Sequence, residues 1–555
     1  MTVASSAVDD PLAAARHALE RGAWSEARGR YAAIAEDEDD PGAWEGLAWA
    51  SWWSDDEQAT FAARERAYRA FRAAGDRRGA ARQAAWLASD ALDFRGDDAV
   101  AAGWLQRARD LLRDEPRSAE HGWLALMESV FAFKVTGDSA AAAARACEAA
   151  AVGRELAVPD LEALGFAAEG LVLVARGRLS EGMRRLDGAG ALVGVEDFEL
   201  HITPAWVMCI LISACEGVGD FPRAAQWCSA MRVIGERLGG GPTVGVCRTA
   251  YGHVLATRGE WRAAETELVA AVGDLAATRP ALAGGGRVRL GELRARQGRT
   301  GEARELFERA LPYPAAVLGL GALSLDAGDA EAAADAADRA LRRTEPTDVL
   351  ARIPAQELLV RARLALGDVA GAARASAALT AGAARLGTPY LDGRARLVVA
   401  ELEAARGRLQ DARRAAEDAA DRFAACAAPY EVARSRAVLA GILRALGREP
   451  SAAAEARAAR ETFLALGATR DAERLVSFAR PPRPAPVAAV AAGELTAREV
   501  EVLRLVAQGL SDAQIARRLI VSPHTIHRHV ANVRTKLALP SRAAAVGHAA
   551  RLGLL

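Results

Sequence analysis

The chain has 555 residues, which is enough for about three or four average domains or for one long repeat array and a small module. Hydrophobic residues make up 51% of it but aromatic residues only 5%, and Ala and Leu, both strong helix formers, dominate, so we expect an all-α fold. The formal net charge is −1, no apolar run approaches the ~18 residues of a membrane-spanning helix, and the first ten residues do not read as a signal peptide, so composition predicts a cytoplasmic protein that does not contact a membrane.

A short motif recurs along the first 450 residues: Gly, usually a polar residue, three further residues and Ala. The steps between copies are mostly 39 to 42 residues from Gly96 onward, with one shorter step of 30 residues between Gly298 and Gly328. A variant begins at Gly177, and SDDEQA at Ser54 fills the gap before Gly96. The regular copies begin at Gly22, Gly96, Gly137, Gly219, Gly259, Gly298, Gly328, Gly367, Gly407 and Gly447.

Each motif predicts a helical hairpin. The Gly takes the left-handed turn that ends one helix, the polar residue starts the next, and the small Ala lets the two helices approach closely. One hairpin cannot bury its apolar face alone, so neighbouring hairpins stack. The pattern resembles tetratricopeptide repeats in a longer form, and it predicts an α-solenoid of about twelve ~40-residue hairpins over residues 1–478.

Such an array typically offers a binding surface for a protein partner or a small-molecule signal. Eight of the eleven tryptophans precede residue 125, among them Trp49, Trp52 and Trp53. They either fill the core of the first hairpins or line an aromatic ligand pocket. The six cysteines form no CxxC pair, and we interpret them as ordinary buried thiols of a reducing compartment.

A Pro/Ala-rich linker over residues 479–493 separates the array from the rest of the chain, with four Pro between residues 481 and 486. Proline-rich sequence is extended and cannot join a helical stack. Residues 494–555 then carry eight Arg and one Lys against three Glu and one Asp, a net charge of +5, whereas the remaining chain carries −6. This distribution predicts a separate small domain that meets a polyanion.

Four helix starts can be placed in this domain from their capping residues. Thr496 is answered by Glu499 and Ser511 by Gln514, each three residues on, and Gly509 ends the first helix. Two further caps are Ser522, which precedes a Pro at the first helical position, and Ser541. The short second helix, the tight connection and the more basic third helix form a helix-turn-helix pattern.

The third helix carries three histidines on different faces. Helical periodicity gathers Ile526, Val530, Val533 and Leu537 on a core face, with His529 at its edge and His527 on a flank. The three rings therefore cannot converge on one metal ion, and no Cys or carboxylate nearby completes a tetrahedral set. The outer face presents polar and basic groups that suit base edges and phosphates in a major groove, and it comprises His524, Arg528, Ala531 and Thr535, with Asn532 beside them.

The stretches LTAREVEVLRLVAQGLSDAQIARRL, VSPHTIHRHVANVRTKL and SRAAAVGHAARLGLL resemble the LuxR-type DNA-binding domain of bacterial transcription factors. The resemblance implies a four-helix fold whose third helix enters the major groove, and a dimer formed through the fourth helix. It implies base contacts by His527, Arg528 and Ala531, although the family often has Lys or Arg where this chain has Ala531, which leaves more of the contact to the other two. Phosphate or positioning contacts are expected from Ser522, His524, Thr525, Asn532, Arg534, Thr535, Lys536 and Arg542.

Enzymatic motifs are not apparent. The chain has two lysines, Lys134 and Lys536, and neither follows the Gly that a phosphate-binding loop requires. We therefore expect no enzyme and no cofactor, but a regulator that binds promoter DNA as a homodimer while its array binds a signal or partner. The alternatives are a protein-interaction scaffold, or a small-molecule sensor with weak DNA binding.

Overall fold

A computed structural model describes residues 10–237, 242–476 and 495–536, together with residues 544 and 546. Every regular element in this part of the chain is a helix, in agreement with the predicted all-α class. None of the helices in these ranges is long and apolar enough to cross a membrane. The chain divides into two compact units: unit 1 comprises residues 1–256, 260–295 and 300–355, and unit 2 comprises residues 257–259, 296–299 and 356–555.

Twenty-four helices within the described ranges pair in chain order into twelve hairpins, as the repeat predicts. The first twelve are α1 (Pro11–Glu20), α2 (Trp24–Glu38), α3 (Pro41–Trp53), α4 (Glu57–Ala73), α5 (Arg77–Asp90), α6 (Asp98–Leu112), α7 (Ala119–Phe131), α8 (Ser139–Leu156), α9 (Pro159–Ala175), α10 (Leu179–Val193), α11 (Ile202–Val218) and α12 (Phe221–Arg237). The next twelve are α13 (Pro242–Thr257), α14 (Trp261–Thr278), α15 (Ala283–Arg296), α16 (Thr300–Glu308), α17 (Pro314–Asp326), α18 (Ala330–Arg343), α19 (Val349–Ala365), α20 (Val369–Leu386), α21 (Pro389–Ala405), α22 (Leu409–Ala425), α23 (Pro429–Ala445) and α24 (Glu449–Leu466).

The glycine of each motif makes the turn inside its hairpin. Its φ is positive at every copy, from +65° at Gly96 to +92° at Gly328. In the second hairpin, which has no Gly at this place, Asp55 takes the left-handed conformation with a φ of +55°. The short step of the repeat falls on α16, which has only nine residues. The hairpin prediction is therefore confirmed by the backbone at the residues that carried it.

Replacing Gly447 with Ala is expected to destabilise unit 2 by about 1 kcal/mol, because a Cβ is unfavourable at its φ of +71°. Gly441 is the matched control, since it lies inside α23 and a Cβ there would also meet no atom within 4 Å. Gly441→Ala should instead stabilise by roughly 0.5–1 kcal/mol. Urea unfolding of the two variants should shift in opposite directions, and equal shifts would contradict the left-handed turn.

The sequence EARAARETFLALGATRDAERL predicts one last repeat helix that finishes near Leu475, but the structure shows this helix to be interrupted. Gly467 has a φ of +87° and ends α24, and a separate helix α25 (Thr469–Arg474) follows. The backbone N–H of Gly467 bonds the carbonyl of Leu464, which closes the turn. Gly467 takes the same left-handed conformation as the glycines within the hairpins, so this helix end could have been predicted from the sequence. The predicted linker at residues 479–493 lies outside the described residues.

Ion pairs join side chains one repeat apart within each unit. In unit 1, Arg82 bonds Glu45 on the preceding hairpin and Glu120 on the following one, at 2.7 and 2.8 Å. In unit 2, Arg394 pairs with Glu357 in the same way, 37 residues away. The nearly constant repeat length therefore places carboxylates and guanidinium groups in register along neighbouring first helices.

Unit 1 also contains contacts over a much longer separation. The Arg279 side chain donates to the carbonyl of Trp52, 227 residues away, and Nε2 of His201 lies 2.7 Å from the carbonyl of Glu20, 181 residues away. The backbone N–H of Ser139 donates to Glu345, 206 residues away. Hairpins that are separated by about five hairpins in the sequence therefore contact each other inside unit 1.

The prediction that all cysteines are buried free thiols is wrong for three of the six. Cys209 on α11 and Cys247 on α13 form a disulfide, and Cys147 is exposed. The pair is separated by 38 residues, about one repeat, and its Cα atoms are 5.7 Å apart. The stacking of successive hairpins brings these two side chains together, a proximity that the search for CxxC pairs could not detect.

Candidate nucleic-acid interface

Three helices form the carboxyl-terminal module in the described residues: α26 (Ala497–Ala507), α27 (Asp512–Leu519) and α28 (Pro523–Lys536). The predicted capping boxes are confirmed, with Thr496 and Glu499 bonded to each other's backbone N–H at α26, and Ser511 and Gln514 at α27. Ser522 accepts the N–H of Thr525 and so caps α28. Local capping therefore fixes where each helix of the module begins.

The core of the module is built from one face of each helix. Val502 from α26, Ile515 from α27 and Ile526 from α28 are fully buried together. Val533 is also buried, and Val530 packs against this cluster. These three residues of α28 belong to the predicted core face, while the fourth, Leu537, lies outside the described residues. The opposite face of α28 therefore points away from the module.

Two residues of that face, His524 and Arg528, are not open to solvent, although the sequence predicts that they are presented on the outer face. Arg528 hydrogen-bonds Glu417 on α22, and only 12% of its side chain is exposed. His524 is buried, with Nε2 3.2 Å from Oε1 of Glu455 on α24. Within the described residues this nitrogen makes no aligned hydrogen bond. Arg528 does point outward from its own module, but helices of the array cover it.

Three carboxylates of the array form an acidic patch against α28: Glu417, Asp421 and Glu455. Asp421 faces Ser522 and His524, and its burial raises its pKa against the opposing effect of His524. Burial would also raise the pKa of Glu455, but the contact with His524 outweighs it and holds that pKa below the usual value. The acidic patch therefore faces three of the predicted contact residues, Ser522, His524 and Arg528.

The electrostatic balance around Arg528 is unfavourable for its charge. Burial lowers the pKa of Arg528, Glu417 opposes this effect, and the neighbouring Arg413 and Arg448 lower it further. Glu417 also forms an ion pair with Arg413, at a distance of 2.7 Å. One carboxylate therefore balances two guanidinium groups, and the Arg528 contact is poorly compensated compared with an isolated buried pair.

The other predicted contact residues lie mostly outside the acidic patch. His527 is 69% exposed in its side chain, with Nδ1 3.5 Å from Asp512. Lys536 bonds Glu499, 2.6 Å away on α26. Thr535 is exposed and bonds the carbonyl of Ala531. Residues of intermediate exposure are Ser522, Thr525, Ala531, Asn532 and Arg534.

Two further predictions concern this region. Arg542 and the fourth helix expected from Ser541 lie outside the described residues. Burial lowers the pKa of His529, and the adjacent Arg528 acts in the same direction, so this imidazole is neutral at pH 7. No group of three His, Cys, Asp or Glu side chains that could hold a metal occurs in the described part of the chain.

The three tryptophans considered for a ligand pocket are all buried in unit 1. Trp53 stacks on Trp24 with ring centroids 4.7 Å apart, and Trp49 packs edge-on against Trp86 at 4.8 Å. Trp52 lines a cavity, whereas Trp49 and Trp53 do not. Two of the three thus fill the space between hairpins.

Sequence reasoning missed the acidic patch. The charge difference between the array, at −6, and the tail, at +5, was the available signal, but it was interpreted only as a sign of an external polyanion. Net charge gives no location, and the three carboxylates are spread over 39 residues of two helices. They converge only after α22 and α24 have stacked.

Comparison with known proteins identifies the module. Residues 493–549 match the family model described as "Bacterial regulatory proteins, luxR family". A putative HTH-type transcriptional regulator of Mycobacterium tuberculosis is 52% identical over 61 residues, which is 11% of this chain and 7% of that protein. The probable transcriptional regulatory protein NarL of the same species is 48% identical over 73 residues, 13% of this chain and 32% of that protein. The carboxyl-terminal module is a LuxR-type helix-turn-helix domain, as the sequence predicted.

The similarity of the chain to solved structures is weak. The solved structure described as "Crystal structure of APC/C hetero-tetramer Cut9-Hcn1" has a TM-score of 0.45 and 14% identity over 85% of this chain and 94% of that one. The names of these sequence relatives describe regulators of transcription. The matches to these relatives cover 61 and 73 residues of this chain, which is about a third or less of the relatives' own length.

Proposed function

We propose that the chain regulates transcription by binding promoter DNA through α28. The observation that carries this proposal is the division of α28 into two faces. Ile526 and Val533, 0% and 1% exposed, hold the helix on its module, and His524 and Arg528 project from the other side. A helix held in this way can enter a major groove, where imidazole and guanidinium groups contact base edges and phosphates.

The acidic patch makes DNA binding conditional. DNA and the patch require the same surface of α28, so the two are mutually exclusive. We infer that the contact of Arg528 with Glu417 and of His524 with Glu455, the closed contact, must open before a duplex can bind. A regulator of this kind is inactive until a signal or partner on the array favours the open arrangement. This ordering distinguishes it from a scaffold whose module never leaves the array.

The remaining parts of the proposal follow from the domain organisation. Residues 1–478 form the signal-binding array, residues 479–493 the linker that permits release, and residues 494–555 the DNA-binding domain. The fourth helix that the sequence predicts from Ser541 would join two copies as a homodimer on adjacent half-sites. The protein would act in the cytoplasm, where it meets bacterial promoter DNA, and it needs no cofactor for this function.

His527→Ala tests DNA reading without disturbing the closed contact, because His527 is exposed and contacts no residue of the array within the described ranges. The affinity of the full chain for promoter fragments recovered by genomic site mapping should fall by about 1 kcal/mol, roughly fivefold, since a base contact is lost. Affinity for random DNA should change less. Fluorescence anisotropy at fixed salt measures both quantities.

The matched control is His17→Ala, which removes a histidine of similar exposure on α1, 66% against 69% for His527. It should leave both affinities unchanged. If neither the wild-type chain nor a variant with a weakened closed contact prefers any genomic fragment over random DNA, the scaffold interpretation replaces the regulator interpretation.

A further inference from the structure

Unit 1 contains a cavity of about 250 Å³ whose lining comes mainly from the first helices of successive hairpins, from α3 to α13. Most of the lining is apolar, with Trp52, Met127, Phe133, Leu171, Trp206 and Ile210 among its side chains. The volume is slightly below the range of roughly 300–1,000 Å³ that is usual for small-molecule sites, and it is too small for a folded partner. The cavity therefore suits a small, largely apolar molecule.

One buried charged side chain in the lining has an unused hydrogen-bond donor. Arg279 is 0% exposed, and two aromatic rings hold its guanidinium group in place. The guanidinium carbon lies 4.0 Å from the ring centroid of Trp52 and 3.9 Å from that of Phe94. Nε donates to Asp55 at 2.9 Å and Nη2 to the carbonyl of Trp52 at 2.8 Å. Nη1 is buried and has no hydrogen-bond partner in the described residues.

An unpartnered guanidinium nitrogen in a buried position costs free energy, and native structures rarely leave one unexplained. The other two guanidinium nitrogens of Arg279, Nε and Nη2, each donate a hydrogen bond to the protein. Only Nη1 therefore lacks a hydrogen-bond acceptor. An acceptor oxygen supplied from within the cavity would complete the set. A purely apolar occupant could not supply it, and a cationic occupant would be repelled.

Two π-helical turns add charged groups to the same cavity. One, Ala91–Arg95, extends α5 and contributes Asp93, and the other, Ala132–Thr136, extends α7 and contributes Phe133 and Lys134. Such turns are rare and occur often at functional sites, because the inserted residue re-aims the side chains around it. Lys134 has no ion pair in the described part of the chain, so its ammonium is available to an anion from the cavity.

We propose that this cavity binds an amphipathic organic anion, with its apolar body among the ring and aliphatic side chains and its acidic group bonded to Nη1 of Arg279 and drawn toward Lys134. Asp55 already pairs with Arg279, and Asp93 adds one negative charge to the lining, so the acidic group binds as a single charge rather than as a polyanion. This site would be the signal site of the proposed regulator, and the inference rests on that function only in naming the ligand a signal.

Two dyes of matched shape test the proposal on the full chain. Anilinonaphthalene sulfonate carries one sulfonate on an aromatic frame, and phenylnaphthylamine has the same frame without it. We expect the sulfonate to bind at least tenfold more tightly, with quenching of tryptophan fluorescence because Trp52 and Trp206 line the cavity. Decanoate, an aliphatic carboxylate, should displace it, whereas decanol should displace it poorly.

Three variants locate the binding. Lys134→Met should weaken sulfonate binding about fivefold and leave the neutral dye unchanged, and Asp93→Asn should tighten sulfonate binding. Ala168→Leu, which adds volume to the lining from α9, should weaken both dyes about tenfold. Arg69→Gln is the control, since this exposed arginine on α4 lies outside the cavity lining and should leave both affinities unchanged.

Equal binding of the two dyes, or sulfonate binding that is unchanged by both Lys134→Met and Ala168→Leu, would overturn the proposal. These variants avoid Arg279, whose contacts with Trp52 and Asp55 also hold unit 1 together. No DNA is present in the measurement. A failure here therefore leaves promoter binding untouched, and a failure of promoter binding leaves the cavity proposal standing.

Discussion

The full chain with Glu417→Gln and Glu455→Gln should bind its promoter DNA about 10- to 100-fold more tightly than the wild type. Each substitution removes a carboxylate that contacts α28, and at Arg528 the hydrogen bond to a charged group that is lost contributes roughly 1.5–3 kcal/mol. The apparent affinity of a protein is reduced by the fraction that is not competent to bind. Weakening the closed contact therefore raises the affinity up to that of the fully open chain.

The position of Glu417 makes the effect larger than the loss of one pair. Glu417 is 5% exposed in its side chain and holds both Arg413 and Arg528. With Gln at this position two guanidinium groups face each other without a carboxylate between them, which favours departure of α28. Gln keeps the size and most of the packing of Glu, so α22 should remain folded.

A matched control substitutes two exposed carboxylates of the array, Glu308→Gln and Glu331→Gln, which change the net charge by the same amount. This control separates release of α28 from a general reduction of repulsion between the array and DNA. Anisotropy titrations at one salt concentration should show a small, sequence-independent gain for the control. Equal gains for both double variants would disprove the closed contact.

Arg528→Ala should have a large effect on DNA binding in one background and two partly cancelling effects in another. Arg528 belongs to the closed contact and is also the strongest candidate for a base contact, so its loss in the wild type opens the module and removes a DNA contact together. In the Glu417→Gln, Glu455→Gln background the first consequence has already occurred. There the variant should lose 1–3 kcal/mol of specific binding, about 5- to 150-fold.

The measurement is a double-mutant cycle on promoter and random DNA. Arg528→Lys in the same background is the control, because Lys keeps the charge but not the planar two-donor geometry. It should retain binding to random DNA while losing preference for the promoter. If Arg528→Ala in the opened background leaves the preference intact, α28 does not read bases through this residue.

Local signals explain why much of the fold was predictable. The left-handed turn at Gly96 or Gly407 depends on a residue without a Cβ, and the cap at Thr496 depends on Glu499 three residues away. The core face of α28 follows from helical periodicity alone. Each of these features is decided within a few residues, so it can be derived from the sequence without knowledge of the rest of the chain.

The features that escaped prediction depend on distant packing. Arg528 is covered by Glu417, which is 111 residues away, and Glu455, the carboxylate that contacts His524, lies on a different helix of the array. The Cys209–Cys247 bond and the pairing of Arg279 with Trp52 likewise join separate hairpins. The π-helical turn at Lys134 has no recognised sequence signature, so neither its insertion nor the cavity it serves could be foreseen.

The bonds that Arg279, His201 and Ser139 make across about five hairpins have a consequence for how unit 1 comes apart. A repeat protein with neighbour contacts alone frays from its ends, and its partly unravelled forms are populated. In unit 1 the loss of one hairpin also removes bonds to a hairpin far along the chain. Several hairpins should therefore unfold in one concerted step. Amide hydrogens in α3 and α11 should therefore exchange with similar protection, without a gradient that declines from the interior toward the first helix.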